Sequence, residues 1–331
     1  MAKYYKHDIA RWESEGGFPG QQPTGAPVWR SGVAKGADRA AMQPAWKILA
    51  PIDLAADSEV RVQHAIQVAT ALAGELTLLY VVEPGSRQQA RKLDWPADAL
   101  TSDLNGRIRR IVLPGDVAET IGHYADDMNA DLVTITSRHY GRWMRFRKDS
   151  IAAELMSSTH RTVCVTSTRS LNADRPFECR RVLCVVALDG TDDPVLLQAQ
   201  ALAERCSGKL ILLHIVPEIR ESVLAYRFAG ADDRPLSERV AKQRIGDLSA
   251  SLSVPHTTSV MTGSAYKCIG AAVQSHRADI VVAARFLPEP VQSSGLDLRT
   301  IMGRLDCPLI SVAAPSRLDR RTEYEETAVC V

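Results

Sequence analysis

Gly115-Asp116-Val117-Ala118-Glu119-Thr120-Ile121-Gly122, followed shortly by Ala130-Asp131-Leu132-Val133, reads as a turn, an amphipathic helix and a buried strand. Val117, Ile121, Tyr124, Ala125 and Met128 fall on one face of that helix, and Asp131 to Thr136 continues as the strand. The same frame returns later in the chain as Gly263-Ser264-Ala265-Tyr266-Lys267-Cys268-Ile269-Gly270 and Ala278-Asp279-Ile280-Val281. Gly115, Ile121, Gly122, Ala130, Asp131 and Val133 each recur at one constant offset, without a gap. Agreement of that kind over a whole turn–helix–strand unit marks an internal duplication.

Working outward on the N-terminal side, Lys47 to Ile52 reads as a short buried strand closed by Asp53. Val62, Ala65, Ile66, Ala69, Leu72 and Ala73 then follow helical spacing, with Ser58 expected as the N-cap and Gly74 as a left-handed C-cap. Leu76 to Val82 is a second apolar strand, and Gly74-Glu75-Leu76-Thr77-Leu78-Leu79 is echoed by Gly208-Lys209-Leu210-Ile211-Leu212-Leu213. Ile108 to Leu113 and Thr162 to Thr166 complete the strands of the first half. Strands alternating with helices of this length predict parallel βαβ units with both faces of the sheet covered.

The chain is expected to divide into an unstructured arm over 1–44, a first domain over 45–169, a polar linker over 170–178, a second domain over 179–315 and a charged tail over 316–331. The 331 residues give room for two domains with well-buried cores, and 45% hydrophobic with 24% charged residues is a globular balance. A formal net charge of +1 points to neither nucleic acid nor an anionic membrane as partner. No stretch approaches the ~20 apolar residues of a membrane helix, and Met1 to Asp8 lacks the apolar core of a secretory signal. A cytoplasmic location is expected. The seven cysteines form no C-x-x-C pair, so they are read as small core thiols.

In order and spacing these segments resemble the universal stress protein family in both halves. The resemblance rests on Pro51-Ile52-Asp53, Leu78 to Val82, Gly115 to Glu119 and Ala130 to Val133 in the first half. In the second half it rests on Leu188-Asp189-Gly190-Thr191, Leu212 to Val216, Ala278 to Val282 and Cys307-Pro308-Leu309-Ile310-Ser311-Val312. It implies an α/β fold of two Rossmann-like, adenine nucleotide alpha hydrolase-like domains in tandem, each with five parallel strands. It also implies pairing through the last strand of each domain, an internal pseudo-dimer that buries Val163, Val165, Ile310 and Val312 together.

Nucleotide-binding members of that family carry glycine, two residues, glycine, nine residues, then glycine with serine or threonine, so that backbone N–H groups reach phosphate oxygens. Here Thr136, His139 and Asp149 stand at the three glycine positions, and only Ser150 keeps the pattern. In the second half Gly295 fits the last glycine, but Leu296 replaces the hydroxyl and two prolines stiffen Arg285 to Pro290. By the resemblance, Asp53 and Asp189 match the acid that faces base and ribose. Val81 and Ile215 match the adenine-contacting strand position, and Gly115 and Gly263 the glycine near the ribose. The same residues also suit a strand-end turn, a core position and a helix entry. Arg138 to Lys148 alternates basic and aromatic residues. It reads either as an anion clamp centred on Arg142 or as a solvated face whose Trp143 and Phe146 cover the neighbouring domain.

No catalytic or metal-binding constellation emerges. There is no G-x-S-x-G elbow, no P-loop and no G-x-G-x-x-G after a strand, and His64, His123, His160 and His276 stand singly. The expectation is a non-catalytic tandem universal stress protein with a stress-response binding or scaffolding role toward protein partners. The alternative is an ATP- or AMP-binding regulator using the first domain's pocket. A homodimer beyond the internal pairing is a further possibility for the assembly.

Overall fold

The computed structural model describes residues 44–53, 58–83, 106–137, 151–167, 171, 177–190, 192–216, 238–285, 301 and 305–313. The arm before residue 44, most of the linker and the C-terminal tail lie outside these residues. All the elements below belong to the unit Ala45–Val331.

In the first half the chain runs β1 (Lys47–Ile52), α1 (Ser58–Ala71), β2 (Glu75–Val82), β3 (Ile108–Pro114), α2 (Val117–Asp127), β4 (Leu132–Ser137), α3 (Ile151–Ser158) and β5 (Val163–Ser167). The second half runs β6 (Arg181–Val185), α4 (Asp193–Arg205), β7 (Lys209–Val216), α5 (Glu238–Ser249), β8 (His256–Thr262), α6 (Ala265–His276), β9 (Ile280–Ala284) and β10 (Leu309–Val312). These strands form one ten-stranded sheet in the order β3-β2-β1-β4-β5-β10-β9-β6-β7-β8. Each half is parallel within itself, and the two meet where β5 and β10 pair antiparallel, Leu309 opposite Val165 and Ser311 opposite Val163. Apart from Ser311, itself fully buried, this junction is apolar: Val163, Cys164, Val165, Leu309 and Ile310 are all at most 2% exposed. That explains why the last strand of each half is a short run without alternation.

The two halves repeat one another down to individual loop hydrogen bonds. Glu75 N donates to Trp46 O at 2.7 Å, as Lys209 N does to Arg180 O. Asp131 N donates to Lys47 O and Asp279 N to Arg181 O, both at 2.9 Å. The two recurrent aspartates return the contact: Asp131 Oδ2 accepts from Lys47 N at 2.7 Å and Asp279 Oδ2 from Arg181 N at 2.9 Å. Each carboxylate thereby satisfies the first N–H of its half's opening strand. Asp279 also holds the Arg181 guanidinium at 2.6 Å, whereas the Lys47 ammonium donates to Met128 O at 3.2 Å.

Two local expectations need correction. Ser58 is the first residue of α1 rather than a residue outside it. The left-handed residue after α1 is Ala73, with φ +47°, not Gly74. Ser207, φ +49°, does the same after α4. The glycines that follow are required for close approach instead. A Cβ on Gly74 would stand 2.8 Å from Trp46 O, and one on Gly208 would stand 2.6 Å from Arg180 O and 2.8 Å from its carbonyl carbon. Backbone cannot yield as a side chain can. Gly208→Ala is expected to cost about 2 kcal/mol or more, seen as a lower urea midpoint. Gly246→Ala, on an exposed face of α5 with nothing within 4 Å of the new Cβ, should stabilise by roughly 0.5–1 kcal/mol.

Candidate functional site

In both halves the chain first builds outward, from β1 to β2 to β3 and from β6 to β7 to β8, then crosses back to the other side of its opening strand. Loops diverge at such a crossover, leaving a crevice beyond the C-terminal strand ends where parallel sheets take ligands. In the first half a cleft of about 390 Å³ opens there. Ile52 and Asp53 bring it the end of β1, Tyr80 and Val81 come from β2, Val117 and Ile121 from α2, and Ile151 from the start of α3. That volume sits within the range of small-ligand pockets, and its walls are mainly apolar. Ile151 is 47% exposed, an unusual position for an isoleucine, and it forms the cleft's rim.

Among the described residues two acids stand at this cleft, Asp53 and the exposed Glu83. Asp53 takes an ion pair from Arg61, Nη1 to Oδ1 at 2.5 Å, so α1 holds the carboxylate from its first turn. Gly115 enters α2 with φ +144°, and a Cβ there would meet Thr120 Oγ1 at 2.4 Å. Asp116 caps α2 by accepting from Ala118 N and Glu119 N at 3.1 and 3.2 Å. Asp53 and Val81 therefore share the cleft, with Gly115 just before the α2 wall at Val117. Tyr80, Ile121, Ile151 and Arg61 were not singled out from sequence. The only signal for Arg61 was a cation soon after a strand-end acid.

The second half departs from this plan. Counting along the matched hydrogen bonds, Val186 N to Leu213 O sets Val186 in the place of Ile52, so Ala187 occupies the position of Asp53. Asp189, expected to be the matching acid, lies two residues further on, in a turn with Leu188 at φ +58° and Gly190 at φ +88°. The acid that organises this turn is Asp192. It is 5% exposed and accepts from Ala187 N at 2.6 Å and Leu188 N at 2.8 Å. Burial pushes its carboxyl up to about 6, against the pull of those two N–H groups. His214 stands where β2 has Tyr80, and its Nδ1 donates to Val186 O at 3.0 Å. Burial lowers its pKa, so Nε2 is left as the acceptor of a neutral ring. Ile215 is 6% exposed, and Gly263 enters α6 with φ +142°, mirroring Val81 and Gly115. Arg142, Ser150 and Gly295, with the whole Arg138-to-Lys148 segment, lie outside the described residues.

His64 belongs to the packing. It bonds Thr166 Oγ1 at 2.8 Å and meets the Phe177 ring edge-on, 5.9 Å between centroids. Among the described residues no group of three or more His, Cys, Asp or Glu side chains could hold a metal ion. No helix among them is long and apolar enough to cross a membrane.

Residues 46–167 match the family model described as Universal stress protein family. No curated protein sequence matches the chain. Among solved structures, the fold is similar to a universal stress protein from Archaeoglobus fulgidus DSM 4304, with 16% identity and a TM-score of 0.55 over 81% of this chain and 96% of that one. It is also similar to a chain from Pseudomonas aeruginosa UCBPP-PA14 ascribed to the same proteins, with 14% identity and a TM-score of 0.58 over 88% and 100%. A functionally unknown protein from Pseudomonas aeruginosa PAO1 gives 15% identity and 0.56 over the same shares.

Proposed function

Residues 46–167 being a universal stress protein domain, we propose that the chain is a non-catalytic, nucleotide-responsive binding protein that holds one adenine nucleotide in the first half. The observation that carries this is the cleft of about 390 Å³ at the β1–β4 crossover. Its apolar floor of Ile52, Val81 and Ile121 suits the faces of a purine, and the Asp53–Arg61 pair lies where ribose hydroxyls would bond. Phosphate then falls to the segment holding Arg142 and Ser150, which follows β4.

Residues 179–315 are in this reading a second, diverged universal stress protein domain, and the β5–β10 pairing is an internal pseudo-dimer. The repeated loop hydrogen bonds and the shared strand order support it. With Ala187 in the place of Asp53 and Asp192 turned into its own loop, this half serves as the partner of the first rather than as a second nucleotide site. A pure scaffold toward protein partners is the second reading, favoured by one observation: the Asp53 carboxylate is already engaged by Arg61.

Ile151→Trp separates the two. The new ring would fill the rim of the cleft from an exposed position, leaving the core alone. Nucleotide affinity is expected to fall at least tenfold with the circular dichroism spectrum unchanged. Equal affinity in variant and parent would place the nucleotide elsewhere and remove the basis of this proposal.

A further inference from the structure

Cys179 and Cys206 are joined in a disulfide with Cα atoms 5.8 Å apart, against the expectation of core thiols throughout. The two are distant in sequence, but the turn from α4 into β7 is registered on the residues before β6 through Lys209 N and Arg180 O. By the same register the first half carries Ala45 and Leu72 at these positions, so the fold itself does not require the bond.

What the bond joins is specific to the contact between the halves. Cys179 follows Phe177, whose ring packs against His64 of α1. Cys206 is the C-cap of α4, and its neighbour Arg205 donates to Leu72 O at 2.9 Å with its guanidinium 5.4 Å over the Trp46 ring. Phe177, which meets α1, and Arg205, which meets Leu72 and Trp46 beside α1 and β1, thus lie within two residues of the joined cysteines. Among the described residues the remaining cysteines, Cys164, Cys184, Cys268 and Cys307, are buried thiols. Burial pushes Cys164 and Cys307 up to about 12 and Cys184 up as well, which leaves them unreactive. Cys179 is 2% exposed and Cys206 is half-buried, so Cys206 is the less enclosed of the two.

We propose that Cys179–Cys206 is a thiol–disulfide exchange site that holds residues 177–180 and the end of α4 together against α1. A thiolate of a dithiol reductant attacks Cys206 Sγ, forming a mixed disulfide and releasing Cys179 as thiolate, which takes a proton from water. The reductant's second thiolate then attacks its own sulfur in the mixed disulfide and releases Cys206, which is protonated in turn. Two electrons and two protons pass to the protein, and the reductant leaves as a disulfide. Reduced, residues 177–180 and the end of α4 move independently, and the Phe177–His64 contact loosens.

The full chain, equilibrated natively across glutathione buffers of graded redox poise, then denatured, alkylated and mapped by peptide mass spectrometry, tests this. Cys179 and Cys206 are expected to be linked at oxidising poise and alkylated together at reducing poise. Amide exchange over residues 177–181 and 205–209 should be at least tenfold slower in the linked state. The double variant C179S/C206S should exchange at the fast rate at every poise. If that variant fails to fold, the parent at the two extremes of poise still decides. Alkylation of both cysteines even in oxidised glutathione, a bond that resists dithiothreitol in the native protein, or equal exchange in the two states would each overturn the proposal.

Discussion

Replacing Arg285 with methionine is expected to lower stability by about 3 kcal/mol, because hydrogen bonds to a charged donor contribute roughly 1.5–3 kcal/mol each and are not additive. Arg285 directly follows β9 of the second half, yet its guanidinium donates to the carbonyl oxygens of Thr159 and Arg161 in the first. It also reaches Ser311 Oγ at 3.4 Å, while its own N–H donates to Val312 O at 2.7 Å. Burial lowers its pKa to about 10, and at neutral pH it stays charged. Methionine would fill most of the volume but leave both carbonyls without this donor. The Arg161 side chain carries the grip further, bonding Asp126 Oδ1 at 2.9 Å and Asn129 Oδ1 at 3.1 Å at the end of α2. The loss should appear in urea unfolding as a lower midpoint. A midpoint within 0.5 kcal/mol of the parent would show that the β5–β10 strands hold the halves together unaided.

The dependence of stability on pH is the second large effect, and it comes from two groups of opposite sense. Burial of His64 lowers its pKa from 6.5 to about 4. The folded state therefore refuses a proton that the unfolded chain accepts, and stability falls as pH drops from 6.5 toward 4. Asp192 is raised from 3.8 to about 6, so the folded state accepts a proton before the unfolded chain does. Its contribution is present in full below pH 3.8 and is lost as pH rises through 6. Each shift corresponds to up to about 3 kcal/mol, and over pH 4 to 6 the two nearly cancel. The parent should look flat in this window. His64→Gln should gain stability as pH falls from 6 to 4, and Asp192→Asn should lose it, both read from urea midpoints at fixed ionic strength. Parallel curves for parent and both variants would contradict the assignment.

The framework was legible because one turn–helix–strand spacing occurs in both halves, so each half tests the other. Gly115 with Asp131 and Gly263 with Asp279 fix two turns, two helices and two strands at once. Pairing of the last strands, around Val163 and Ile310, comes only from the family resemblance, and its antiparallel direction from the structure. What could not be read depends on distances that sequence spacing does not carry. Gly74 and Gly208 look like helix C-caps because glycine favours positive φ, but the carbonyls of Trp46 and Arg180, far off in the chain, are what exclude a side chain. Cys179 and Cys206 have no motif spacing, and only the α4–β7 turn makes them neighbours. The family resemblance matches Asp189 with Asp53, but the hydrogen-bond register sets Ala187 in the place of Asp53, and the acid that organises the turn is Asp192. In the first half the resemblance also pairs Asp53 with Val81, and both line one cleft, whereas Tyr80 and Ile151 enter it only through the packing of β2 and α3.

Calorimetric titration of the full chain with ATP and with AMP, alongside mass analysis of any ligand carried through purification, addresses the central claim. One adenine nucleotide bound per chain with micromolar affinity is the predicted result, as the proposed single site in the first half requires. Two equivalents per chain would contradict the asymmetry between the halves, and no heat with no carried ligand would contradict nucleotide binding altogether.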